Sequence, residues 1–181
     1  MTLAHQDDLY FSNYTELSVS AACKSKNNLI TFSDYCELSK NRLRTFTVIL
    51  LIKKILLFPF WFSSSVEKQT WKKMILMFGS PINCPGVMYN KKNLGKFAFD
   101  SSFSINLDWE AWIRLAQREG RFVYVNKRLM AHRIYEGSET TWGIKENQRK
   151  REDIRLFHRL WPATIAAILW KIYSLSYRSN E

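Results

Sequence analysis

The side chains best suited to chemistry fall into two short acidic clusters, His5-Gln6-Asp7-Asp8 at the start and Asp108-Trp109-Glu110 about a hundred residues later. The Asp-Asp step follows the short apolar run Met1 to Ala4, so its carboxylates sit where a strand ends and where a hard cation and a phosphate can meet. Asp108 opens a tryptophan-bearing helix and suits another task. A carboxylate held near a hydroxyl and partly shielded from water has its pKa moved toward working pH and can act as a general base. His132 and Arg133 add an imidazole and a guanidinium able to meet phosphate. Each group also has an ordinary role. The aspartates can cap helices or loops, His5 can be a hydrogen-bonded imidazole, and Trp109 and Trp112, at i and i+3, can pack the core instead of facing a ligand.

The elements that must position these residues alternate along the chain. A helix is expected over 13–24, capped by Ser12 or Asn13, with Leu17, Ala21 and Ala22 on one side, and a buried strand over 29–35. Ser64 to Glu67 resembles a capping box for a helix whose apolar face is Trp71, Met74, Ile75 and Phe78, closed by Gly79. Val87 to Tyr89 reads as a strand, a helix starts at Asp108 and stops before Gly120, and Phe122 to Val125 returns as a strand. The charged run from Lys145 to Arg155 reads as a solvated helix with pairs such as Glu152 and Arg155; beyond Pro162 an apolar helix covers 165–173.

At 181 residues, 46% hydrophobic and 15% aromatic, the chain can bury a sizeable core. Its 27 Lys and Arg against 16 Asp and Glu give a net charge of +11, which attracts polyanions such as nucleic acid, an anionic membrane face or a nucleotide diphosphate. The cations are spread along the chain and form no recognisable nucleic-acid module, which disfavours nucleic acid as the partner. Cys23, Cys36 and Cys84 show neither metal-ligand spacing nor the even count of a disulfide framework, which suits a reducing compartment. No signal peptide is visible, so a cytoplasmic location, peripheral at the inner membrane face, is expected. Phe46 to Phe62 is the most membrane-like stretch, but Lys53, Lys54 and Pro59 interrupt it. It reads either as a core-packing segment or as a basic amphipathic surface that leans on anionic lipid.

His5-Gln6-Asp7-Asp8-Leu9-Tyr10, the Thr31 to Tyr35 strand, Leu107-Asp108-Trp109-Glu110-Ala111-Trp112 and His132 to Ser138 occur in the order seen in family 2 glycosyltransferases, which the chain resembles over most of its length. The resemblance implies an α/β fold, a GT-A-like (Rossmann-like) glycosyltransferase fold incomplete at the N-terminus. Residues 1–142 would be the C-terminal part of the catalytic domain, and 143–181 a charged helix plus an apolar C-terminal helix. The nucleotide-binding βα half that precedes the acidic motif in that family is expected either upstream of a broken reading frame or on another, complementary chain.

The implied activity is inverting transfer of a sugar from a nucleotide-diphosphate donor to a hydroxyl of a glycan or lipid-linked acceptor. A divalent metal, Mn²⁺ or Mg²⁺, would be held by Asp7, and Asp108 would be the base. His5, Asp8, Trp109, Glu110, His132 and Arg133 would contact substrate. The family's metal segment often reads Asp-x-Asp; His5 stands at the first of those positions and Asp7 at the second. The family's later motif resembles Tyr-Arg-x-His, and Tyr135 occupies the position of its metal-binding histidine. A catalytically inert chain, or a basic binding protein without chemistry, is the alternative.

Overall fold

Apolar β-branched and aromatic runs supply the centre of the molecule. The structure, a computed structural model, describes residues 1–134 and 147–175. Its strands are β1 (Leu9–Tyr10), β2 (Asn28–Ser39), β3 (Arg42–Arg44), β4 (Ser65–Val66), β5 (Val87–Tyr89) and β6 (Arg121–Arg133). Its helices are α1 (Tyr14–Lys24), α2 (Val48–Leu56), α3 (Gln69–Leu76), α4 (Lys91–Leu94), α5 (Leu107–Ala116), α6 (Gln148–Leu160) and α7 (Ala163–Ser174). The fold is mixed α/β with one mixed sheet. Strands run β1-β6-β2-β3, with β4 also paired to β6 and β5 to β2. The long central pair β2 and β6 is parallel, and the other pairings are antiparallel. Among the described residues no helix is long and apolar enough to cross a membrane.

The core gathers Ile30 and Phe32 from β2, Phe122 from β6, Ile75 and Leu76 from α3, and Trp109, Trp112 and Leu115 from α5. Helices α6 and α7 add Leu156, Phe157 and Ala166 to that same core. The α5–β6 connection turns tightly at Gly120, where φ is +112° and any Cβ would lie 2.6 Å from the Asn27 carbonyl oxygen, so no other residue fits.

Three local expectations change. Ser65 lies in β4, paired with Val123, so no capping box forms; α3 begins at Gln69 and Glu67 instead pairs with Arg121 at 2.7 Å. The buried face of α3 is Lys72, Ile75 and Leu76, with Trp71 and Phe78 exposed. Lys72 can be buried because its ammonium donates to the carbonyls of Arg118 and Gly120 at 2.6 and 2.8 Å; burial still lowers its pKa to about 8. In α6, Glu152 and Asp153 are buried, so that helix is not simply solvated, and Arg155 donates to Ser102 rather than to Glu152.

The segment Phe46 to Phe62 divides. Thr47 caps α2 by accepting the Leu50 N–H at 3.3 Å, and Pro59 stops the helix. No residue of α2 is buried, which overturns the core-packing reading for it; Leu57, Pro59 and Phe60 enter the core just beyond.

Candidate functional site

Strand register brings the first and last motifs together. Antiparallel pairing of Leu9 with Ala131 sets Asp8 beside His132, and parallel pairing sets Glu37 of β2 opposite His132. The Asp8 side chain is only 2% exposed, and its Oδ1 accepts from the Arg133 backbone N–H at 2.9 Å and lies 2.9 Å from His132 Nδ1. A carboxylate has no proton to give, so Nδ1 carries the hydrogen and Nε2 is left as the nitrogen that can meet a ligand. Arg133 Nε also donates to the Asp7 carbonyl oxygen at 2.9 Å. Burial alone would raise the Asp8 pKa, but the hydrogen bonds from His132 and Arg133 outweigh it and hold the carboxyl below its ordinary value.

His132 also borders a cavity of about 460 Å³. Its other polar groups include Glu37, Lys53, Asn83, Asn106, Asp108, Arg149 and Tyr173, and α2 and α7 supply apolar walls. Asp108 stands in the first turn of α5, and Trp109 N–H donates to its Oδ1 at 2.7 Å. Burial pushes the Asp108 carboxyl above its ordinary value, against the pull of the Trp109 N–H, Lys53 and Arg149. Lys53 donates to the Tyr35 hydroxyl at 2.8 Å; burial works against its charge, but Tyr35 prevails and its pKa is raised.

The turn leading into α5 is anchored from α6. Glu152 accepts the backbone N–H groups of Ser104, Ile105 and Asn106 at 2.8–3.0 Å, and Asn106 Nδ2 donates to Asp153 Oδ1 at 2.8 Å. Burial lifts the Asp153 carboxyl to about 7, although Arg149 and Asn106 pull it down. The charged run therefore positions Asp108, through contacts 46–48 residues apart in sequence.

The remaining expected site residues divide. His5 is exposed, with Nδ1 3.9 Å from Asp8 Oδ2, and Asp7 is exposed on the same turn. Trp109 is fully buried and its indole N–H donates to the Leu76 carbonyl at 3.1 Å, so it has no face for a sugar. Glu110 is not an exposed acid: it is 1% exposed, with Arg114 and Arg159 each 2.8 Å away. Tyr135 lies outside the described residues. Sequence reasoning passed over Asn106, Lys53, Arg149 and Tyr173. The signals for two of these were an Asn directly before the Leu107-Asp108 step and a lone lysine pair inside an apolar run.

Among the described residues no three His, Cys, Asp or Glu side chains converge as a metal cage. Asp7 and the buried Oδ2 of Asp8, which accepts no hydrogen bond, fit a looser arrangement in which a hard cation takes one or two carboxylates and draws other oxygens from phosphate. A scan of protein-family models finds no match to this chain, and a search of curated proteins finds none.

Proposed function

We propose that the chain is the acceptor side of a GT-A-type, family 2-like glycosyltransferase that moves a sugar from a nucleotide-diphosphate donor to a hydroxyl of a glycan or lipid-linked acceptor. The observation that carries this reading is that Asp108 and His132 line one cavity, while Asp8 of the first motif bonds to His132 and to the Arg133 backbone. Asp108 takes the proton from the acceptor hydroxyl while that oxygen bonds to the anomeric carbon. The bond from that carbon to the diphosphate breaks, its electron pair leaving with the nucleotide, and one displacement inverts the configuration. The raised pKa of Asp108 suits the proton transfer.

Arg133 grips the donor diphosphate, and His132, oriented by Asp8, offers Nε2 to the substrate. Asp7, with Asp8 beside it, would hold Mn²⁺ or Mg²⁺, which when bound neutralises charge on the leaving diphosphate. The test is a titration of the chain, joined to a complementary nucleotide-binding half, with UDP-sugars and Mn²⁺, followed by backbone amide NMR and by release of the nucleotide; the chain alone should bind the same donors feebly or not at all. Metal-dependent shifts at Asp7, Asp8 and Arg133 are expected; shifts elsewhere, or none with any nucleotide sugar, count against the reading.

A further inference from the structure

Helix α2 is amphipathic with its polarity reversed. Its two lysines turn inward: Lys53 bonds to Tyr35, and Lys54 donates to Asp34 at 2.7 Å and to Tyr124 and Asn126 at 2.5 Å each. Val48, Leu51, Ile52 and Ile55 are left on the exposed face. Aromatic side chains stand in water at both ends of the helix, Phe46 at 76% exposure before it and Trp61 and Phe62 at 62% and 85% after it. Helix α7 repeats the theme with exposed Ile165, Ile168 and Ile172. The two helices share a cavity wall: Ile52 and Ile172 both line the cavity that holds Asp108.

A contiguous apolar surface of this kind marks a docking face, and its surrounding charge selects the occupant. Between Glu37 and Glu67 the sequence has Lys40, Arg42, Arg44, Lys53 and Lys54 and no Asp or Glu. Lys40 and the β3 arginines Arg42 and Arg44 are exposed and stand a few residues before Phe46, so exposed cations lead directly into the apolar segment. A second copy of the chain would bring a +11 charge against another +11. An anionic bilayer supplies an apolar interior for Val48 and Phe62, a headgroup layer that suits Trp and Phe, and negative charge for those cations.

We propose that α2 and its flanks, with α7 beside them, form a surface that lies in the interface of an anionic membrane, with the mouth of the Asp108 cavity facing the lipid. The proposal goes beyond the transferase reading and stands without it, since lipid binding is read without donor or acceptor.

The test is co-sedimentation of the full chain with phosphatidylcholine vesicles, with and without phosphatidylglycerol, over a range of salt. The chain should pellet with the anionic vesicles, and added salt should release it. The double variant F46S/F62S, at two exposed positions, should lower the partition coefficient by about tenfold or more. The double variant R42S/R44S should lower it by about tenfold or more on anionic vesicles and leave the neutral ones unaffected. Folding of each variant is checked by circular dichroism. A chain that stays in the supernatant with anionic vesicles, variants that bind as the parent does, or self-association by light scattering that F46S/F62S abolishes without any lipid binding would each overturn the proposal.

Discussion

Asp8 bonds to His132 and Asp108 shares a cavity with it, and the protein moves the two carboxyls' acidities in opposite directions. At the Asp8 corner burial is outweighed by the His132 and Arg133 hydrogen bonds, and the carboxyl is held below its ordinary value. At Asp108 in the cavity and at Asp153 in the α6 anchor burial wins, and both hold their protons more tightly than in water. The difference lies in the donors each carboxylate finds. Asp8 accepts a backbone N–H from an adjacent strand in addition to an imidazole N–H, whereas Asp108 bonds to the N–H of its own helix. Two carboxylates driven apart in this way divide the labour of a site: one stays a fixed charge and the other takes up a proton more readily than a carboxylate in water.

The sharpest way to break this division is Asp108→Asn. If Asp108 is the base, sugar transfer by the chain joined to a complementary nucleotide-binding half should fall by about 10²- to 10⁴-fold while donor binding by calorimetry is unchanged. Equal turnover would move the base elsewhere.

The next effect is on stability and comes from the α6 anchor. Asp153 has a folded pKa of about 7, above its unfolded value near 3.8, so its contribution to stability is complete below about pH 4 and is lost as pH rises through 7. The loss should reach about 4 kcal/mol across that window, read as urea midpoints against pH, and Asp153→Asn should flatten the slope. An unchanged slope would mean that Asp153 is ionised in the folded protein at neutral pH and that burial does not dominate there.

Asp8 should show the opposite sign. Its folded pKa is lowered, so its contribution is present above its unfolded pKa and disappears as pH falls through the folded one. Asp8→Asn should cost about 2 kcal/mol at pH 7, because it weakens charge-assisted bonds to His132 and Arg133, and that cost should vanish in strong acid. A cost that persists in acid would point to packing instead of charge.

The smallest effect separates packing from binding in the motif that contains Asp108. Trp109→Phe removes the indole bond to Leu76 and should cost about 1 kcal/mol in thermal or urea unfolding, with binding of a nucleotide sugar and of a sugar acceptor unaltered. Weaker acceptor binding in this variant would return the tryptophan to the site.

Periodicity made most elements legible: β5 falls on the expected residues, and α1, α5 and α7 start and stop within a few residues of their expected ends. What pattern reading missed were polar groups that find distant partners. Lys72 counts as polar in any hydrophobic pattern, yet two carbonyls from the α5–β6 connection allow it to be buried and turn the α3 face by one position. Glu152 and Asp153 look solvated in a charged run, but the backbone amides that receive them lie in the turn before α5. The motif residues were visible as types. Their grouping was not, because the contact of Asp8 with His132 spans 124 residues and depends on the register of β1 against β6.

The division of the two carboxylates is tested most directly by ¹³C NMR of the aspartate side chains, titrated across acid and neutral pH, with Asp8→Asn and Asp108→Asn spectra to assign the two signals. Asp8 should titrate below the ordinary aspartate range near 3.8 and Asp108 above it. Titration of Asp108 at or below the ordinary value, or Asp8 above Asp108, would contradict the account.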